Sequence, residues 1–489
     1  MATLTRPRPR RSFPIRLLAV VGAMLVVVVV SQVASHLRPS APQPRQAPVV
    51  DPLQPGIGDL DAGAISGSGG SGSGADAGPA AGAGAAADPG LSDVARIKAD
   101  IEFWSSRVAR DRDDFISSNR WGISEIELAR ATGDLSAFLR ANAAFDTTLA
   151  RDQHNAAALG YKGSVLVSLH RFVDAAGLAR TILERYPDDP VALATLGDAS
   201  LELGDLPTAR DAFSRANDVA RSAATLARLG HLAFIGGDIS GALSMTTAAV
   251  GLADSEGAEG ERAAFYHYQL ADVLISTGDR AGAAKQYAAA LAADPGSFLA
   301  HSGLARVAAA DHDMDEAIRQ LSAAIAIVPQ PEFLARRGDL YTLRANSGDA
   351  KRAADDYATV EAIAKLAGEA AGVYDRTLAL YLANHGLDPS RAVALADAEL
   401  TVRKDVYGYD ADAWALLAAG RPADAETMMS RALAFGTRDA KLLYHAGMIA
   451  VALGQADRGR TFLEDSLALD PSFDPLQATR ARATMANPR

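Results

Sequence analysis

Residues 190–221 read PVALATLGDASLELGDLPTARDAFSRANDVAR. Two runs with apolar residues at the three-and-four spacing of an amphipathic helix flank Gly204 and Asp205, a pair that makes a tight turn. The stretch therefore predicts a helix, a turn and a second, antiparallel helix. Small residues at Gly197, Ala209 and Ala216 let those helices approach closely, and Phe213 is large enough to fill what remains between one pair and the next.

The same order of residues recurs along the chain. Gly163, Gly197 and Gly230 lie 34 and 33 residues apart, and Ala271, Ala305 and Gly338 repeat those steps. One longer step of 41 residues separates the two series, its surplus falling at Asp254 to Gly260. Alanines follow in register at Ala175, Ala209, Ala242, Ala283 and Ala317, then at Ala216, Ala249, Ala290 and Ala324, with Ile182 taking that place in the first unit. Tyr287, Leu321 and Tyr357 match Phe213 as plugs, Gly237 and Gly278 match Gly204 as turns, and Pro187, Pro295, Pro329 and Pro471 stop second helices.

At these residues the chain resembles the tetratricopeptide repeat (TPR) family, whose unit is a 34-residue helix-turn-helix. The resemblance implies an all-α fold, a right-handed α-solenoid of antiparallel helix pairs over residues 115–475. Six units between 156 and 365 match well, with a three-residue insertion near Ala345 to Ser347. A degenerate unit precedes them around 119–153, and up to three follow; in the last, Gly454 and Pro471 fit but Gly459 stands where Ala is usual. A capping helix is expected over 91–114, with Ser92 as N-cap and Val94, Ile97, Ile101, Trp104 and Val108 on one face. Residues 476–489 form the C-terminal cap and tail. The blocks at Ala413 to Leu417, Gly436 to Ala440 and Tyr444 to Gly447 are similar to exported or membrane-linked bacterial members of the family, which implies a setting and not an activity.

Ahead of the repeats the composition changes twice. Residues 1–16 form a basic tail carrying Arg6, Arg8, Arg10, Arg11 and Arg16, and 17–35 is an uncharged run centred on five valines. At about 1.5 Å per helical residue that run spans roughly 28 Å, enough for one transmembrane signal-anchor helix with its basic end in the cytoplasm. A second reading stays open, because Val33, Ala34 and Ser35 also suit signal cleavage and secretion. Residues 36–90 are Pro-rich and then Gly/Ser/Ala-rich, the composition of a disordered linker. Its GxGxxG matches, at Gly67, Gly69 and Gly72, lack the strand and helix of a dinucleotide site.

Chemistry is sparse. Net charge is −11, there is no cysteine, and residues 91–489 carry 41 basic against 54 acidic side chains, which argues against nucleic acid as a partner. HExxH, GxSxG and P-loop motifs are missing, so no enzyme and no cofactor is expected. Asp311, Asp313, Asp315 and Glu316 resemble the start of a calcium loop, but the sixth and twelfth places hold Glu316 and Ser322, and helix capping explains the acids.

What remains is a surface. The resemblance implies a concave groove lined by the first helix of each unit, and transferring its ninth and sixth places selects Tyr161, Asp198, Arg228, His231, Asp272, Arg306, Arg336 and Asp339, with Phe265 and Tyr268 adding apolar contact. Ser164 and Gln269 fall at the same places. Such a groove suits a protein or an extended peptide. The clamp that grips C-terminal carboxylates needs Asn at the ninth place, where this chain has none. The expectation is a noncatalytic membrane-tethered scaffold or adaptor on the extracytoplasmic side, the alternative an accessory subunit that presents substrate to a membrane enzyme or transporter.

Overall fold

A computed structural model describes residues 93–371 and 376–486. The expectations for the basic tail, the membrane segment, the linker and the Ser92 cap lie outside those residues. Within them there are 22 helices and no strand. Helix α1 (Asp93–Arg110) stands first, and ten antiparallel pairs follow. Units 1 to 5 are α2 (Phe115–Thr132) with α3 (Leu135–Arg151), α4 (Ala156–Ser168) with α5 (Phe172–Arg185), α6 (Pro190–Glu202) with α7 (Leu206–Val219), α8 (Ala223–Ile235) with α9 (Ile239–Ser255), and α10 (Gly260–Ser276) with α11 (Arg280–Ala293). Units 6 to 10 are α12 (Phe298–Ala310) with α13 (Met314–Ile327), α14 (Pro331–Arg344) with α15 (Asp349–Ala371), α16 (Arg376–His385) with α17 (Pro389–Glu399), α18 (Val406–Ala418) with α19 (Pro422–Leu433), and α20 (Ala440–Ala452) with α21 (Ala456–Leu469). Helix α22 (Pro475–Ala486) comes last.

Each hairpin is set by residues at its ends and at its crossing. Gly204, Gly237 and Gly278 take positive φ of 78°, 78° and 84° at the turn. The Asp after each accepts from a backbone N–H of the next helix, at 3.1 Å from Thr208, 2.9 Å from Gly241 and 2.9 Å from Gly282, and a cap of this kind is worth about 1 kcal/mol. Asp313 caps α13 in the same manner, accepting from Glu316 N–H at 3.0 Å, which accounts for the acidic run there. At the crossings, side chains replace space that a Cβ would take. A Cβ on Gly197 would lie 2.2 Å from the Phe213 ring, and one on Gly303 2.2 Å from that of Tyr287.

Two departures from regular repeats are absorbed locally. The longer step near Asp254 to Gly260 lengthens α9 and α10 to 17 residues each instead of opening a loop. At the insertion, Ala345 turns left-handed and buried Asp349 holds the bend, accepting from Arg344 at 2.8 Å and from Asn346 N–H at 3.0 Å.

Contacts far apart in sequence change the picture of an open rod. Units 9 and 10 lie against units 3 to 5. Lys404 N–H donates to the Glu202 carbonyl at 2.8 Å, and Thr437 Oγ1 donates to the Ile235 carbonyl at 2.6 Å. Arg403 pairs with Glu202 at 2.7 Å while its guanidinium sits 5.3 Å from the Phe172 ring centre. A single apolar cluster joins Leu201, Leu232, Phe234 and Val273 to Val406, Leu416, Leu442 and Ile449. The array closes on itself, and the expected continuous groove is corrected accordingly: at units 3 to 5 its inner face is core.

Gly237 serves both turn and closure, since a Cβ there would come 2.2 Å from the Gly436 carbonyl oxygen. Gly454 has a similar φ of 74° but nothing near it. Both Gly→Ala changes carry left-handed strain of about 1–2 kcal/mol. Gly237→Ala is expected to cost more than Gly454→Ala in urea unfolding and to enlarge the radius of gyration in X-ray scattering, whereas Gly454→Ala leaves that radius unchanged.

Candidate functional site

The inner face of the first helices carries a ladder of acids and bases. Asp198 on α6 accepts both arms of the Arg228 guanidinium from α8, at 2.9 and 2.8 Å. Asp272 on α10 accepts from Arg306 on α12 at 2.6 Å. Asp339 on α14 lies 2.8 Å from His385 Nε2 on α16, and Asp410 on α18 lies 2.8 Å from His445 Nδ1 on α20. In every rung an odd-numbered unit supplies the carboxylate and the next even-numbered unit the base. Consecutive units are thereby tied in twos.

Most of these groups are away from water. Arg228 is 2% exposed, His231 4%, Asp272 2% and His445 0%. The rungs thus position the first helices rather than standing ready as surface contacts, since burying such ions gains little net stability but makes the loss of one partner costly. Tyrosines that the repeat pattern marks as apolar plugs have a second task here: Tyr287 OH donates to Asp272 at 3.1 Å and Tyr357 OH to Asp339 at 2.7 Å.

His385 illustrates how geometry selects a charge state. Its Nδ1 faces the Tyr381 carbonyl at 2.8 Å and its Nε2 faces the Asp339 carboxylate, so both nitrogens meet acceptors and the geometry favours the imidazolium. Burial alone would lower its pKa, but Asp339, the Tyr381 carbonyl and the charge of Asp474 together hold it above the ordinary 6.5. His231 is the opposite case. Nothing acidic faces it, and burial pushes its pKa down to about 3, leaving it neutral at pH 7.

The residues selected from the sequence do not form one continuous site. Asp198 and Arg228 form one rung, and His231 is buried beside it on α8. Tyr268 and Asp272 gather with Arg306 and Tyr287, the two tyrosine rings 5.9 Å apart; burial raises the Tyr268 phenol well above its usual range. Arg306, Arg336 and Asp339 line a shallow recess whose opposite wall is Ser472, Phe473, Asp474 and Pro475. Tyr161 and Phe265 are half-buried elsewhere, stacking on Phe145 at 5.7 Å and meeting Tyr266 edge-on at 5.6 Å. His385, Asp410, His445 and the wall from Ser472 to Pro475 escaped sequence reading, because their partners lie in other units. Among the described residues no group of His, Cys, Asp and Glu is arranged to hold a metal ion.

Comparison with known proteins bears on the scaffold that carries this face. A tetratricopeptide repeat family model matches residues 126–190, 169–224 and 268–330, and a second model of the same description matches residues 440–473. Among solved structures, a tetratricopeptide repeat protein from Parabacteroides merdae is 15% identical at a TM-score of 0.39, with 51% of this chain and 93% of that one covered. YrrB, a TPR protein with an unusual peptide-binding site, is 19% identical at a TM-score of 0.28, over 41% of this chain and 98% of its own. The human IFIT1 dimer with m7Gppp-AAAA is 13% identical at a TM-score of 0.45, over 70% and 77%. No curated protein matches the chain.

Two outcomes follow from the ladder. Asp198→Ala removes two hydrogen bonds from the buried Arg228 guanidinium and should destabilise the chain in chemical denaturation, whereas pairing it with Arg228→Leu should recover part of that loss. For His385 the folded pKa exceeds the unfolded one. Its contribution to stability is therefore full below pH 6.5 and is lost as pH rises through the raised folded value. Unfolding free energies at pH 6 and pH 9 should show this drop in the native chain and a smaller drop in His385→Gln.

Proposed function

We propose that this chain, which belongs to the tetratricopeptide repeat family, is a noncatalytic protein-binding scaffold tethered to the outer side of a membrane. The observation that carries the protein-binding reading is the recess between units 6 and 7 and the segment after α21. There the first helices present Arg306, Arg336 and Asp339 beside Phe473, a mixture of charge and aromatic surface that can both anchor and orient a polypeptide. Arg336 is half-buried and pairs along its own helix with Glu332 at 2.9 Å, which holds its guanidinium at the edge of the recess.

The tether rests on residues 17–35 and on the basic cluster before them, and the outward orientation on that same charge asymmetry. No helix of the described residues is long and apolar enough to cross a membrane, so the N-terminal run is the segment to which anchoring is assigned. The linker over 36–90 then sets the solenoid away from the lipid surface. A net acidic repeat region makes a protein a better partner than a nucleic acid.

Topology is tested with protease added to intact cells and again after the inner membrane is breached. Digestion of the repeat region without that breach is expected, and complete protection until then would overturn outward display. Binding is tested by a photo-crosslinking residue at position 336. A discrete protein adduct is expected, strengthened severalfold when Glu332→Lys returns to this face the positive charge that the change at 336 removes; adducts weakened or unaffected by it would remove the recess from the reading.

A further inference from the structure

Helix α22 is seated differently from every other helix. It packs on α14, α20 and α21, so it lies across first helices of separate units instead of pairing with one partner. Its seat is narrow. Only Gln477, Ala478 and Ala481 are buried, and Ala481 shares an apolar cluster with Ala383, Trp414 and Tyr444, with Met485 at its edge. The seam between units 3 to 5 and units 9 to 10, by contrast, is built from Leu, Ile, Val and Phe side chains. Because hydrophobic stabilisation scales with apolar area removed from water, two alanines with Phe473 and Met485 at the cluster's edge hold less firmly than that seam.

Two polar contacts of α22 fall on Asn384, and a third runs from Thr484 Oγ1 to Met448 Sδ at 3.8 Å. Gln477 Nε2 donates to Asn384 Oδ1 at 2.6 Å, an oxygen that also accepts from Trp414 Nε1 at 2.8 Å, and Arg480 reaches the Asn384 carbonyl at 3.4 Å. Gln477 is 2% exposed, yet its Oε1 has no partner, a buried acceptor left unsatisfied at the centre of the contact. The strap leading into the helix, Pro471 to Asp474, forms one wall of the recess beside Arg306 and Arg336. Asp474 caps α22, accepting from Gln477 N–H at 2.8 Å.

We infer that α22 and its strap are a displaceable occupant of the inner face of units 6 to 8, and that this face takes a partner of the same form: a short helix of small residues led by an acidic cap. The inference rests on the protein-binding reading above and specifies where the partner enters and what must leave. A competitor that puts an apolar group where that unsatisfied oxygen sits leaves no buried acceptor unpaired and gains over α22. Arg336 and Arg306, which line the recess with Asp474, then meet the competitor's acidic cap.

The probe is a labelled synthetic peptide of residues 470–489. A chain ending at Asp470 is expected to bind it at least tenfold more tightly than the full chain. The chain has no cysteine, so Asn384→Cys with Gln477→Cys, joined by a short bismaleimide, locks the helix in place and should abolish peptide binding. Hydrogen exchange on the full chain gives an independent reading that does not depend on the truncated form folding. Amides of α22 should exchange at least a hundredfold faster than those of α20; equal rates would overturn the inference, as would a folded truncated chain that ignores the peptide. A crosslinked partner at position 336 together with slow α22 exchange would leave the scaffold standing and the displaceable helix refuted. Fast exchange and peptide binding with no adduct at position 336 would do the reverse.

Discussion

The structure depends on how closely two helices can approach where a glycine faces an aromatic ring. Phe213 over Gly197, Tyr287 over Gly303 and Tyr357 over Gly338 all occupy the volume a Cβ would need. This contact draws the α6/α7 and α14/α15 hairpins tight, and at Tyr287 over Gly303 it sets unit 5 against unit 6. Because the interior is packed near crystal density, a methylene added at such a seat has nowhere to go. The regular step from unit to unit, and hence the curvature of the array, follows from repeating this seat.

Curvature accumulated over ten units brings distant turns together. Glu202 and Ile235 at the ends of first helices meet Lys404 and Thr437, more than 200 residues later. A linear repeat array is stabilised by neighbours alone. Here the closing seam adds a second set of terms, so units 3 to 5 depend on units 9 and 10 as well as on each other. The acid and base rungs complement this arrangement by fixing which faces of consecutive first helices oppose one another, as buried ion pairs do where register matters. The stretch beside α14 and α16 is covered by α22 and its strap.

Much of the architecture was legible in the sequence because its determinants are local. Gly204 with Asp205 marks a turn, Pro187 and Pro471 mark ends, and Ala209 with Gly197 marks a crossing within a few tens of residues. The six well-matched units between 156 and 365 appear as α4 to α15, and three further pairs follow them. The candidate site was legible only in part. Register placed Asp198, Arg228, Asp272, Arg306, Arg336 and Asp339 on the inner face, yet it could not show that Arg228 and Asp272 are buried in rungs, nor that His385 answers Asp339 across a unit of irregular spacing.

The sequence by itself determined the helices, their pairing and the small residues on which they close, since each of these is decided by side chains within one unit and its neighbour. Tertiary structure alone decided that the groove is filled at units 3 to 5, that acids and bases join units in twos, and that α22 crosses the face left open. Those contacts arise from small rotations summed over many units, and no local pattern encodes where a superhelix meets itself.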